Sequence, residues 1–349
     1  MTSFHVPTVD ISAYVTGEPP EHRGQVAEAL DQACRTVGFM QIVGHGVPEE
    51  TIAALATALD DFFALPLAEK KRYRPEVDTN RGYSPPRSES LSLSLGIEAA
   101  NRMNDFFEAF NVGEEYAAET VARHPAGSYP ANLWPEVPGF RARVGAYYAE
   151  ARRVAETLCR VFEDALSLPS GFFAERALDP MSMLRLNNYA LPESEVSLDG
   201  ELRGMGEHTD FDIVTVLWAD RVAGLQVLGS DGGWHDVQPD PGALLVNLGD
   251  TLSRWTNERW MSTLHRVNPP VVEGRIQRRR SAAFFFEGSY DTVIEALPSC
   301  LAPGETPLYE PISIGEHIAI KLAGSRGGQV NTRAGSERDR VLAAGGEDR

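Results

Sequence analysis

"GEHTDFDIVTVLW", residues 206–218, begins with ionisable side chains and ends as an apolar run. Its second half, "DIVTVLW", reads as a buried β-strand, in which an imidazole and carboxylates cost desolvation unless something compensates them. In an extended chain residues i and i+2 share a face, so His208 and Asp210 project to one point while Thr209 turns away. An imidazole and a carboxylate are borderline-hard donors. With one more histidine they form the facial set that leaves positions open on ferrous iron, although three N/O ligands plus water equally describe a catalytic zinc site. Without a third ligand, the two side chains read as hydrogen-bonding groups near a turn. The downstream candidates are His235 in "GGWHDV", His265 in "MSTLHRV" and His317 in "PISIGEHIAIKLA". His235 follows a turn and His317 sits in a helical pattern. His265 opens a strand after a Trp- and Asn-rich loop and precedes a basic run, which favours it, but periodicity alone does not decide between them.

After residue 180 the sequence consists of short β-rich runs: "SMLRLNNY", "DIVTVLW", "GLQVLG", "GWHDV", "GALLVNLG", "TLHRV" and "SAAFFFEG". Gly, Asp and Pro stand at the joints, a pattern that predicts a β-sandwich or barrel of the jelly-roll kind. Before residue 180 helical signals dominate. Residues 22–36 and 49–63 are amphipathic, and Phe140, Val144, Tyr147, Ala151, Val154, Leu158, Val161 and Ala165 mark one stripe of a long core-facing helix. The strand "GFMQIV" at 38–43 interrupts the helices, and His45 after it reads as a turn residue. We expect a mostly helical region over 1–180, a jelly-roll core over 181–290, and a closing segment over 291–325. The last contains a helix at 311–323 packed back on the N-terminal helices, and the polar, Gly-rich stretch 326–349 is expected to be a flexible tail. Neither half closes its own core, so the parts are expected to be inseparable.

The 349 residues are 42% hydrophobic, enough for one large core. Fifty acidic against 32 basic residues give a net charge of −18, whose field repels phosphate backbones and anionic lipid surfaces. A nucleic-acid partner and a membrane are therefore not expected. The N-terminus lacks a secretory pattern and no run approaches roughly 18 apolar residues, so a cytoplasmic protein is expected. Cys34, Cys159 and Cys300 are odd in number and far apart, fitting buried reduced thiols. The dense basic run "GRIQRRRS" at 274–281 leads directly into "SAAFFFEG", a position that suggests work inside a site.

"HTDFDIVTVLWADRVAGLQV" followed by "VNLGDTLSRWTNERWMSTLHRV" resembles the core signature of the isopenicillin N synthase-like group of non-haem Fe(II)/2-oxoglutarate-dependent oxygenases. "GFMQIVGHGV", "FFALPLAEKKRY", "RGYSP" and "DFFEAFNVG" are similar to that family's N-terminal region, so the resemblance runs to about residue 323. It implies an α+β, mainly β fold: a double-stranded β-helix, or distorted jelly roll, with iron held by His208, Asp210 and His265. A 2-oxoglutarate on that iron has a far carboxylate that needs a fixed cation, for which arginine's bidentate fork is suited. Arg275, Arg278, Arg279 and Arg280 compete. Ser281 shares a strand face with Arg279, and these two form the family's R-x-S, leaving Arg278 and Arg280 as solvated charges of the outer face. Tyr189 matches a tyrosine that helps to hold the co-substrate, although Ala190 replaces the usual proline after it.

The implied activity is oxidation of an unactivated C–H bond of a small molecule, by hydroxylation, desaturation or ring closure, with O2 consumed and succinate and CO2 released. Ascorbate would serve as a reductant in vitro. An oxidase of the same fold that uses no 2-oxoglutarate is the alternative, and a non-catalytic or zinc-holding jelly roll is a third class. Tyr83, Phe107, Asn187, Phe211 and Phe285 are the expected substrate contacts. The substrate itself and the oligomeric state are not legible, because loops and pocket shape set them.

Overall fold

A computed structural model describes residues 4–75, 79–96, 105–190, 204–268, 271–272, 275–332, 334 and 339. In chain order its strands are β1 Thr8–Asp10, β2 Phe39–Val43, β3 Gly82–Ser84, β4 Glu108–Gly113, β5 Met183–Tyr189, β6 Met205–His208 and β7 Val214–Ala219. They continue as β8 Leu225–Leu228, β9 Trp234–Asp236, β10 Leu244–Leu248, β11 His265–Val267, the short pair β12 Val271–Val272 and β13 Arg275–Ile276, and β14 Arg279–Phe286. A large sheet has the order β1-β2-β10-β7-β14-β5-β4-β3 and faces a smaller one, β6-β11-β8-β9. The two form the distorted jelly roll.

Alternation along β14 sorts the molecule into layers. Ala282, Phe284 and Phe286 join the main apolar core, where Phe284 meets Tyr148 edge-on at 5.0 Å between ring centroids. Arg279, Ser281, Ala283 and Phe285 face the opposite way and line a cavity between the sheets. The helix Phe140–Ala165 backs the large sheet with the predicted stripe, buried from Phe140 to Val161. Helices Pro20–Thr36 and Glu49–Phe63 pack on it. The region before residue 180 is less purely helical than expected, since β1–β4 extend the same large sheet. That shared sheet is why the two halves have one core.

Two other expectations are corrected. The closing helix spans Ile314–Ser325, opened by Ser313 and Glu316 as a reciprocal capping box. It packs on the turn Leu91–Leu95 instead of the N-terminal helices, so closely that a Cβ at Gly324 would lie 2.8 Å from the Leu93 carbonyl oxygen. The stretch from Arg326 is anchored at its start, because Asn331 donates through its backbone N to Leu93 O (3.1 Å) and through Nδ2 to Ser94 O (2.7 Å). Residue 333 and all beyond it except 334 and 339 lie outside the described residues. Cys34 and Cys159 are buried as expected, whereas Cys300 is half-buried.

Inside the closing helix, Lys321 Nζ meets Asp250 Oδ2 at 2.6 Å, both side chains almost fully buried. Removing the ammonium leaves a carboxylate stranded in low dielectric, a loss of about 3–5 kcal/mol. Lys321→Met is accordingly expected to lower the denaturant midpoint strongly, and the double change Lys321→Met with Asp250→Asn to recover most of it. Equal midpoints for wild type and Lys321→Met would refute this.

Candidate active site

Antiparallel pairing of β6 with β11 sets His265 directly opposite His208, with ring centroids 4.2 Å apart. The chain leaves β6 at His208, so Asp210 sits in the loop that carries it from the small sheet to β7 of the large one. Asp210 is therefore outside any strand, and the strand face it was expected to share with His208 does not exist. The loop reaches the same end by another route. Asp250 N donates to the Asp210 carbonyl (2.9 Å) and Thr251 Oγ1 to the Phe211 carbonyl (2.9 Å), while Thr209 Oγ1 donates to Asp250 Oδ2 (3.2 Å).

Each imidazole is tied through Nδ1 to a backbone carbonyl, His208 to Gly206 (2.8 Å) and His265 to Thr263 (3.0 Å). Donation there leaves the Nε2 lone pairs facing inward. Both Nε2 atoms face Asp210 Oδ1, at 3.9 Å from His208 and 3.7 Å from His265. Asp210 Oδ2 accepts from Thr215 Oγ1 and from Asn247 Nδ2, both at 2.6 Å, which fixes the carboxylate with its other oxygen toward the imidazoles. Burial, followed by the neighbouring His265, pushes His208 down to about 3, so the ring is neutral and able to donate its lone pair at physiological pH. One ligand atom from each of the three residues lies within 4.8 Å of the other two, the spacing of a metal site.

The rival histidines lie elsewhere. His235 bonds Asp231 (2.9 Å) and stacks on Phe4, His317 is buried beside Asp250, and His45 bridges its own turn to Gly242 O.

Arg279 stands opposite Tyr189 across β14 and β5, with its guanidinium 5.3 Å from the tyrosine ring centroid. It is 2% exposed and lines the cavity, and its Nε and Nη1 have no hydrogen-bond partner among the described residues. A guanidinium left this way is costly unless an anion completes it, so the donor set fits a bound carboxylate. Ser281 and Tyr189 line the same cavity. Arg278 and Arg280 do face outward, but they are not merely solvated. Both bond Asp60 of the helix Glu49–Phe63 at 2.7 Å, and Arg280 also bonds Asp220. Arg275 lies in β13, on the separate short hairpin.

The cavity, of about 190 Å³, has Asn187, Phe211 and Phe285 among its lining residues. Tyr83 and Phe107 are not among its lining residues. Tyr83 packs in the main core and donates to Glu108 Oε2 (2.6 Å), and Phe107 is buried against Tyr189 and Arg185. Their aromatic character marked burial, but they point into packed layers. Four residues that sequence reasoning did not single out belong to the site: Thr215, Asn247, Arg185 and Arg81. Thr215 and Asn247 occupy paired positions on β7 and β10, a relation that only register reveals. Because these two hold Asp210, Asn247→Ala and Thr215→Val are each expected to weaken Fe(II) binding by about 10–100-fold with the fold intact, measured by anaerobic metal titration. Unchanged affinity would show that the carboxylate needs neither.

A two-histidine, one-carboxylate centre between the sheets of a double-stranded β-helix, beside a buried unpaired arginine, defines the class of non-haem iron oxygenases. Residues 181–288 match the 2OG-Fe(II) oxygenase superfamily, and residues 6–137 match the family described as non-haem dioxygenase in morphine synthesis N-terminal. The chain is 33% identical over 325 residues to the 2-oxoglutarate-Fe(II) type oxidoreductase hxnY of Emericella nidulans, covering 89% of this chain and 88% of that one. It is 34% identical over 322 residues to validamycin A dioxygenase of Streptomyces hygroscopicus subsp. limoneus, covering 90% and 85%. Among solved structures, a full-length Neurospora crassa protein in complex with alpha-KG and 5-formyluracil superposes with a TM-score of 0.77 at 26% identity, covering 91% of this chain and 96% of that one. The chain belongs to the 2OG-Fe(II) oxygenase superfamily. It is an oxidoreductase, a 2-oxoglutarate- and Fe(II)-dependent dioxygenase.

Proposed function

We propose that His208, Asp210 and His265 hold Fe(II), that Arg279, Ser281 and Tyr189 hold 2-oxoglutarate, and that the enzyme oxidises a C–H bond of a small molecule seated against Asn187, Phe211 and Phe285. The observation that carries the reading is the buried guanidinium of Arg279, with two N–H donors unanswered, in the same cavity as the three convergent ligand atoms. Bound Fe(II), with 2-oxoglutarate and O2, supplies the oxidising power that removes hydrogen from carbon, and succinate and CO2 are the co-products.

The protein's own contribution is placement. The Gly206 and Thr263 carbonyls fix both imidazole rings, and Thr215 with Asn247 fixes the carboxylate. The Arg279 fork orients the co-substrate by its far carboxylate. Phe211 and Phe285 supply apolar wall that excludes water from the reacting centre. Hydroxylation is the reaction we favour, on a specialised metabolite or amino-acid-like compound. We place the enzyme in the cytoplasm, with ascorbate as the reductant that keeps the iron ferrous in vitro. No helix among the described residues is long and apolar enough to cross a membrane.

The test is a screen of small-molecule classes with purified protein, Fe(II), ascorbate and 2-oxoglutarate. One succinate per oxidised product is expected. Product formed at full rate without 2-oxoglutarate would overturn the co-substrate assignment.

A further inference from the structure

From the opposite end of the cavity we infer that Arg81 anchors an acidic group, a carboxylate above all, on the primary substrate. The inference rests on the reading that Arg279 is taken by 2-oxoglutarate. Arg81 is 6% exposed and lines the cavity. Its Nη1 donates to the Asn80 backbone carbonyl (3.0 Å), its Nε has no hydrogen-bond partner, and no carboxylate pairs with it among the described residues. Of the other arginines of the cavity wall, Arg279 is the one assigned to 2-oxoglutarate, and the remaining two are already paired. Arg185 and Arg326 both bond Glu89, at 2.8 and 3.0 Å.

The surroundings of Arg81 keep it cationic but do not neutralise it. The ionisable groups that bear on it are the phenols of Tyr148 and Tyr116, both pushed upward by burial and both donating to backbone carbonyls, of Ser182 and Pro180. Burial lowers the guanidinium to about 10, still protonated at neutral pH. A buried cation with a free N–H and no counter-charge is a site built for an anion that arrives from outside.

Sheet register places it. The inner-face row Thr215, Phe285, Met183, Gly113 crosses β7, β14, β5 and β4. At the end of that row there is no side chain, and the Arg81 guanidinium fills the space: a Cβ on Gly113 would lie 1.8 Å from its Nη2. Thr215, which holds Asp210, starts the same row, three strand spacings or roughly 14 Å away. Arg279 lies in the row of Tyr189, six residues along β5 from Met183, roughly 20 Å. The cavity thus has two separate cationic poles, and in the row that ends at Arg81 the Phe285 wall lies between that guanidinium and Thr215, the holder of Asp210. A substrate that crosses that wall presents its C–H bond to the iron and its acid to Arg81.

The experiment follows arginine Nε–H resonances in the metal-loaded protein, with Arg81 assigned by its loss in Arg81→Lys and Arg279 by its loss in Arg279→Lys. With 2-oxoglutarate saturating, acetate is expected to shift the Arg81 signal saturably and acetamide to leave it unmoved. Methylphosphonate forms a second arm that separates a carboxylate site from a general oxyanion site, tighter acetate binding being the expected order. Gly113→Ala, which displaces the guanidinium but keeps its charge, should weaken acetate binding by about 10-fold or more. An Arg81 signal indifferent to acetate, while Arg279 responds to 2-oxoglutarate, overturns the inference alone. An Arg279 signal indifferent to 2-oxoglutarate overturns the co-substrate reading instead. In turnover, the substrate found by the succinate screen should be an acid whose primary amide loses about 100-fold in kcat/KM. A good substrate without any anionic group would refute the anchor.

Discussion

Replacing His265 by alanine is expected to abolish substrate-driven succinate formation and to weaken Fe(II) binding by more than about 100-fold. The remaining pair, His208 and Asp210, supplies only two of the three convergent ligand atoms. The same substitution at His235 should change neither quantity by more than about 2-fold, because that ring bonds Asp231 and stands two strands from His265, outside the group of convergent ligand atoms. Anaerobic titration with Fe(II), or with Co(II) as an optical stand-in, reads the affinity directly. Loss of metal binding in His235→Ala, with retention in His265→Ala, would mean that the third ligand has been misassigned.

The second large effect belongs to the basic run. Arg279→Ala should raise the KM for 2-oxoglutarate by about 100-fold or more, since the co-substrate's far carboxylate would then be buried without a counter-ion. Arg279→Lys should recover only part of this, as an ammonium lacks the planar fork. Arg280→Ala, one residue away, breaks partly exposed ion pairs to Asp60 and Asp220, and should leave that KM within about 3-fold of wild type. Equal effects at 279 and 280 would defeat the assignment of strand faces.

Both predictions use information already present in one dimension. Period-two alternation separated Arg279 and Ser281 from Arg278 and Arg280: the first two face the cavity from β14, while Arg280, and Arg278 just before the strand, bond Asp60 outside it. Alternating steps of three and four marked the buried stripe of the helix Phe140–Ala165. The motifs around His208 and His265 carried the family resemblance, which the matches to residues 6–137 and 181–288 support. The misses share one cause. Tyr83 in β3 and Phe107 just before β4 are both buried, as aromatic residues commonly are, but sequence alternation does not say whether core or cavity lies across a given face.

What the sequence determined by itself is therefore the set of elements, the side chains that share a face, and the chemical types available for a metal and an anion. Tertiary structure decided which of them meet. His208 and His265 are brought together by β6–β11 register, Asp210 is aimed by hydrogen bonds from β7 and β10, and the closing helix pairs a buried charge at Asp250, against the loop that carries Asp210. The unanswered guanidiniums of Arg279 and Arg81 likewise become visible only once their neighbours are in place. The physical reason is that periodicity is a local property of a chain, whereas coordination and charge compensation depend on distances between segments far apart along it.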